Sequence, residues 1–343
     1  MQIEENKSLA ELTTFQIGGK AKFFVRVESA TEALQAVDFA RQKNLPIFVL
    51  GRGSNIVVSD RGFEGLVIKN EIKGLEIKGS LMEIGAGETW DDVVRSAVER
   101  KLAGIECLSG IPGSAGGAAV QNIGAYGQTL ADVVSNIEAI EVATGESKIF
   151  LRQECEFTYR SSLFKNNPNK YIVTKFQLKL DPAGEPTVTY AHIVKHFEKR
   201  PKPNLAELRQ FIIKIRGSKG YLIMLGYESY KTAGSFFKNP VVSLAQFEKL
   251  KDELGDRSLN RYWEQPNGVK IAVAYLMEKN GFVKGYRKGS VGISPKHSLS
   301  IINLGHAKAS EVKKFAEEIK KTIKDKTGID LEEEILYVGK FDN

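Results

Sequence analysis

The chain's 343 residues suffice for two or three domains with buried cores, and 42% apolar with 27% charged residues excludes disordered, collagen-like and coiled-coil classes. Forty-nine Lys and Arg against 42 acidic residues leave +7, which favours partners carrying phosphate or carboxylate; the charges interleave, as over 311–326, so a nucleic-acid partner is not expected. Two cysteines, Cys107 and Cys155, make no disulfide framework, and apolar runs such as 271–277 are far shorter than the ~20 residues that span a bilayer, so a soluble, cytoplasmic protein without membrane insertion is expected.

The first twelve residues, with Glu4, Glu5, Lys7 and Glu11, read as neither signal nor transit peptide. A strand over 23–27 leads to the capping box Ser29-Ala30-Thr31-Glu32, which opens an amphipathic helix through Lys43, followed by a strand over 47–50. Short runs then predict a hairpin over 75–84 turning at Gly79-Ser80, a helix over 91–101, and a second hairpin over 137–151 turning at Thr144-Gly145. A strand over 171–180 ends at Asp181-Pro182-Ala183-Gly184-Glu185-Pro186, a linker-like composition. Helices follow over 204–216, over 243–254 (opened by Ser243-Leu244-Ala245-Gln246), over 270–280 and over 310–326, the last stopped by Gly328 ahead of a strand over 335–338. Strands meander in the middle while helices and strands alternate at the ends, which favours an α+β, multi-domain protein.

Two glycine-rich loops carry the chemistry. Gly51-Arg52-Gly53-Ser54-Asn55 follows a strand but runs into Ile56-Val57-Val58, a strand pattern where a dinucleotide-binding fingerprint needs a helix. The loop reads either as a tight turn or as a place where successive backbone N–H groups converge on an anion. Residues 110–127 contain six Gly and five Ala or Ser, interrupted by Ile111, Pro112, Val120 and Ile123, and there is no Walker Lys. Backbone there approaches a ligand closely, and a large phosphate-bearing cofactor fits better than free phosphate. Four His and two Cys offer no metal cluster.

Read together, Thr14-Phe15-Gln16-Ile17-Gly18-Gly19, the 51–55 loop, the 110–127 segment, Phe157-Thr158-Tyr159-Arg160-Ser161-Ser162, Ala233-Gly234-Ser235-Phe236-Phe237-Lys238-Asn239-Pro240 and Leu331-Glu332-Glu333-Glu334-Ile335 resemble the flavoprotein family of UDP-N-acetylenolpyruvoylglucosamine reductases (UDP-N-acetylmuramate dehydrogenases). The order and long spacings of these motifs carry the resemblance. It implies an FAD-binding domain of the vanillyl-alcohol-oxidase (PCMH) type in two subdomains, 1–64 (closed by a C-terminal strand in 327–343) and 65–215, followed by an α/β substrate domain over 216–326. It also implies bound FAD, NADPH as co-substrate, a UDP-sugar substrate, a monomer, and a place in peptidoglycan synthesis, hence in cell wall biogenesis, cell shape and division.

By the same resemblance FAD is held by Gly51, Gly53, Ser54, Asn55, Ile111, Pro112, Gly113, Ser114, Gly117 and Ala118. Arg160 engages the substrate carboxylate, Ser235 supplies a proton, and Glu334 assists as a proton-carrying donor or by polarising a partner. Tyr190 resembles the loop Tyr of the family's longer subtype, and Asn239 and His297 match substrate-site positions, with a structural role the alternative for His297. The nucleotide-contacting Lys corresponds to Lys219 by its preceding Arg, or to Lys231, nearer the Ser motif. The intervening residues 220–232 depart from the family's Pro-rich loop, and Thr232 stands where relatives commonly have Asn. The alternative activity is another flavin oxidoreductase or oxidase of the same fold, acting on a hydroxy acid or sugar.

Overall fold

Ala21, Val25 and Val27 alternate with Lys22 and Arg26 in the strand Lys20–Val27, and Ser29 then accepts the Glu32 N–H at 3.2 Å to start the helix Ala30–Gln42. Ala33, Ala36, Val37 and Ala40 form that helix's buried face against Val25, Ile47, Leu66 and Ile68. The sheet beneath it orders its strands Ile3–Ser8, Lys20–Val27, Phe63–Asn70 and Ile47–Leu50. Its last two pairings are parallel, with Val25 opposite Ile68 and Ile68 opposite Val49. The structure is a computed structural model that describes residues 1–223, 230–255 and 261–341.

Two compact units emerge from the contacts. The first comprises Met1–Lys7, Ala21–Arg52 and Phe63–Ser229; the second comprises Ser8–Lys20, Gly53–Gly62 and Tyr230–Asn343. Besides the sheet above, the first unit holds a five-stranded antiparallel sheet ordered Ser147–Leu151, Val134–Glu141, Tyr171–Lys179, Leu81–Gly85 and Leu75–Lys78. Both expected hairpins are present, with Ile77 opposite Met82 and Ile140 opposite Ser147, and Gly79 and Gly145 take the positive φ their turns require. Trp90, Phe176, Leu108 and Leu130 fill the core between this sheet and the helices Trp90–Glu99 and Ala115–Gln121. The 181–186 stretch is tied down: Asp181 and Ala103 exchange backbone hydrogen bonds, and the Asp181 carboxylate accepts from the Ala183 N–H at 2.9 Å.

The second unit gathers the N-terminal motif, the end of the first glycine-rich loop and the C-terminal third. Ile56–Val58 pairs in parallel with Leu336–Val338, so the expected C-terminal strand closes against residues nearly 280 positions earlier. Phe15, Phe236, Phe237, Leu276, Met277, Phe315 and Ile319 share one core. The helix Ala309–Thr327 presents Val312, Phe315, Ile319 and Ile323 inward as its spacing predicts, and Gly328 closes it with φ +67°. The helix expected over 270–280 starts later than its pattern suggests. Gly268–Ile271 is a strand paired with Tyr262–Gln265, and the helix runs only over Val273–Lys279, because the Asn239 side chain accepts the Val273 N–H at 3.0 Å and fixes its start there. No helix among the described residues is long and apolar enough to cross a membrane.

Candidate functional site

In the first unit the 109–114 turn is held on both sides of Ile111 and Pro112. The Trp90 indole donates to the Leu108 carbonyl and the Trp90 N–H to that of Gly113, both at 3.1 Å. Asp91 accepts the Gly110 N–H at 2.6 Å, and Arg216 Nε donates to the Gly110 carbonyl at 3.0 Å. Ile111, Pro112 and Gly113 are thus presented on a turn anchored at both ends. Ser114 follows as the cap of the helix Ala115–Gln121, accepting the Gly117 N–H at 3.2 Å. Gly51 belongs here too: Lys69 donates to its carbonyl, and a Cβ on Gly51 would overlap the Ser114 hydroxyl. A Cβ on Gly116 would lie 2.8 Å from that of Ala86, which explains the small residues through Ala118.

Lys69 was not singled out by sequence, where it reads as one Lys in a strand. It is buried beneath the loop, and burial pulls its ammonium down to about 8, with Glu71 opposing and Arg52, Arg26 and Lys73 adding to the shift.

Arg160 also lies in this unit. It takes φ +56° in the turn where Thr158 and Ser161 exchange backbone bonds at 3.1 Å, and its guanidinium donates to the Gly124 carbonyl at 2.6 Å. Asn122, with φ +46°, links the same places: its amide donates to Thr158 and accepts from the Ala131 N–H. Arg160 is therefore brought to the glycine-rich segment from 36 residues away. Tyr190, at the start of the helix Ala191–Phe197, packs edge-on against Tyr126 at 5.4 Å, and burial raises both hydroxyls' pKa. Tyr126 and its neighbour Arg216 were missed; the signal available was a lone aromatic inside a glycine-rich run. Lys219 stands half-buried at the C-terminal cap of the helix Leu205–Ser218.

In the second unit Gly53 takes φ +64°, where a Cβ would overlap the Leu12 carbonyl, and its own carbonyl accepts the Thr14 N–H at 3.1 Å. Leu12, Thr13 and Thr14 thereby lie against Gly53, at the start of the turn that also carries Ser54. Asn55 donates from its amide to the Glu334 carbonyl at 3.2 Å, and its own carbonyl accepts the Leu336 N–H at 3.0 Å. Glu334 in turn donates its N–H to the Phe236 carbonyl at 2.8 Å, and Phe236 donates to Leu299 at 2.9 Å. The motifs bearing Asn55, Ser235, Glu334 and His297 are thus laced together by main chain. Glu332 and Glu333, flanking Glu334 in sequence, are ion-paired with Lys238 and Lys320.

Two expected substrate residues have structural bonds here. Asn239 caps the Val273–Lys279 helix, and His297 accepts the Leu299 N–H on Nδ1 at 3.2 Å. Lys231 is exposed, its carbonyl accepting from Asn303 at 2.9 Å, while Thr232 is buried and donates to Ile301 at 2.7 Å. Of the 220–232 loop, residues 224–229, which include Met224 and Tyr227, lie outside the described residues. Among the described residues no group of three or more His, Cys, Asp and Glu side chains could hold a metal ion.

Loops in which a single Cβ would block the approach of backbone, floored by a buried ammonium, are suited to a diphosphate-bearing cofactor. Comparison with known proteins agrees. Residues 21–150 match the family model of an FAD binding domain, and residues 227–338 match that of the UDP-N-acetylenolpyruvoylglucosamine reductase C-terminal domain. UDP-N-acetylenolpyruvoylglucosamine reductase of Streptomyces avermitilis is 36% identical, the match covering 96% of this chain and 93% of that protein; that of Pseudomonas aeruginosa is 34% identical, covering 97% and 98%. The crystal structure of the enzyme of the same name from Thermus caldophilus superposes with a TM-score of 0.69 at 26% identity, over 98% of this chain and 99% of that one. The expected α+β fold, an FAD-binding domain of the vanillyl-alcohol-oxidase type with a separate C-terminal domain, is the one found.

Proposed function

The chain belongs to the UDP-N-acetylenolpyruvoylglucosamine reductase family, and from that premise we propose that it reduces the enolpyruvyl group of UDP-N-acetylglucosamine enolpyruvate to the lactyl ether of UDP-N-acetylmuramate. The step is NADPH-dependent and serves peptidoglycan precursor synthesis. The observation that carries the reading is the lacing of the Ser235, Glu334 and Asn55 motifs by hydrogen bonds of 2.8–3.2 Å, across nearly the whole sequence. No single motif predicts that convergence.

The hydride chemistry would come from FAD when bound, with NADPH as the reductant and the substrate's methylene carbon as the acceptor. Gly51, Gly53, Ser54, Asn55, residues 111–114, Gly117 and Ala118 would hold the cofactor, their backbone suited to its pyrophosphate. Arg160 receives the substrate carboxylate; its fixed charge and planar fork stabilise the negative charge that develops there. Ser235 delivers the proton to the neighbouring carbon, and Glu334 supports the enolate as a hydrogen-bond donor. Tyr190 serves as the loop residue of the longer subtype, Asn239 and His297 line the substrate site, and Lys219 or Lys231 contacts the nucleotide. We read residues 1–64 with 327–343 and residues 65–215 as the FAD-binding subdomains, residues 216–326 as the substrate domain, and the enzyme as a cytoplasmic monomer.

The test is direct. Purified protein supplied with FAD should be yellow, NADPH should bleach it, and the enolpyruvyl sugar nucleotide should restore the colour anaerobically. A protein that takes up no FAD, or whose reduced flavin ignores that substrate and reoxidises rapidly in air, refutes the reading.

A further inference from the structure

Gly110 is held by atoms that no motif of the chain predicts. Its N–H donates to Asp91 Oδ1 at 2.6 Å, and Arg209 grips both oxygens of the same carboxylate at 2.7 Å each. Its carbonyl accepts from Arg216 at 3.0 Å. Arg209, Ile213 and Arg216 fall on one face of the helix Leu205–Ser218, at i, i+4 and i+7. Gly110 has φ +70°, and a Cβ there would lie within 2.7–3.2 Å of Ile213, Arg216 and Leu222 side-chain atoms. One helix face therefore reaches the Gly110 carbonyl directly and its N–H through Asp91, and with Leu222 it bounds the space around the residue that starts the 111–114 turn.

We infer that Asp91 and Arg209 are positioning residues for the cofactor: their ion pair, through the Gly110 N–H, sets the 111–114 backbone in the conformation that receives the FAD diphosphate. The inference rests on the reading that this turn contacts FAD. Both side chains are mostly buried, at 13% and 15% exposure, so the pair is shielded from water and differs from the chain's many exposed Lys–Glu pairs. Burial alone would raise the Asp91 carboxyl; the bonds from Arg209 and Gly110 outweigh it and hold the group below its ordinary value. The carboxylate is thus ionic at neutral pH, as a fixed acceptor must be.

The experiment is FAD titration of apoprotein, by quenching of flavin fluorescence, for wild type, Asp91→Ala, Asp91→Asn and Arg209→Ala, beside thermal melting of each apoprotein. Asp91→Asn keeps an acceptor for Gly110 and loses the charge. Loss of a charge-assisted bond to the turn should raise the Kd for FAD about tenfold to a hundredfold in Asp91→Ala and Arg209→Ala, and less in Asp91→Asn. A purely structural pair would lower the apoprotein's melting temperature and leave the Kd of the folded variants at the wild-type value, which overturns the inference. If Asp91→Ala does not fold, Asp91→Asn and Arg209→Ala decide on the same criterion. Wild-type apoprotein that binds no FAD would instead refute the parent reading.

Discussion

The 109–114 turn of the first unit and the 233–239 segment of the second differ in what holds them. The first adds side chains to its main-chain bonds: the Trp90 N–H donates to Gly113, while Asp91 and Arg216 engage the two polar atoms of Gly110 and Arg209 holds Asp91. The second is held through its own main chain, Phe236 to Leu299 and to Glu334, and Lys238 to Glu332, over two fully buried phenylalanines. The first is proposed to offer residues 111–114 to a cofactor, and the second to offer the Ser235 hydroxyl to a substrate.

The sharpest test of this contrast is Ser235→Ala. The segment's main-chain bonds survive this substitution, so the variant should stay folded and lose no more than about 0.5–1.5 kcal/mol in urea unfolding, the worth of one hydrogen bond. Reduction of FAD by NADPH should persist, while reoxidation by the enolpyruvyl substrate slows about a hundredfold to ten-thousandfold in stopped-flow absorbance. Equal slowing of both half-reactions would break the assignment of the proton to Ser235.

Phe236→Ala approaches the same segment from its core side. The ring is fully buried and packs at 5.4 Å from that of Phe237, so its loss should cost about 3–5 kcal/mol in urea unfolding of the apoprotein. A cost under about 1 kcal/mol would mean that main-chain bonds alone hold the segment. In the first unit the matching steric test is Gly51→Ala. The added methyl must displace the Ser114 hydroxyl, which caps the next helix, and loss of such a cap costs about 1 kcal/mol. FAD affinity should therefore fall, by about tenfold or less, and unchanged affinity would show that the loop can shift to make room.

Much of the frame was legible because its signals are local. Ser29, Asn204 and Ser243 start their helices with side-chain caps, Gly328 stops one, and Gly79 and Gly145 make the hairpin turns. What escaped is non-local or runs against propensity. Arg209 meets Asp91 from 118 residues away, and nothing within either helix marks the pairing. Asn122 and Arg160 adopt positive φ without being glycine, held there by their own side-chain bonds. The 268–271 strand is hard to separate from the following helix because Ile271 to Met277 is a continuous apolar run across the boundary, which periodicity alone does not divide. The loop spelled Gly51-Arg52-Gly53-Ser54-Asn55 reads as one feature, yet Gly51 and Arg52 pack with the first unit and Gly53 onward with the second, because residues 8–20 return to pair with it.

A pH-dependent effect concerns Lys69, where side-chain control of the first unit's loop extends to a titrating group. Its pKa is about 8 in the folded protein against an ordinary 10.5. Below pH 8 the group is protonated in folded and unfolded chains alike, so it adds no pH dependence. Between pH 8 and 10.5 the unfolded chain binds more protons, and the wild-type protein therefore gains stability from this site as pH rises. Lys69→Met removes the titration. Its stability relative to wild type should be constant from pH 6.5 to 7.5 and should then decline steadily toward pH 10, measured as the difference between paired urea unfolding curves of the apoproteins, in which all other titrations cancel. A difference that stays flat to pH 10 would mean that Lys69 keeps its charge beneath the Gly51 carbonyl at an ordinary pKa, and that the loop's floor is better solvated than its burial indicates. Repeating the series with FAD bound sharpens the contrast: if the diphosphate is held at the Gly51 loop, the nearby anion favours the protonated ammonium, so the onset of the decline should move above pH 8.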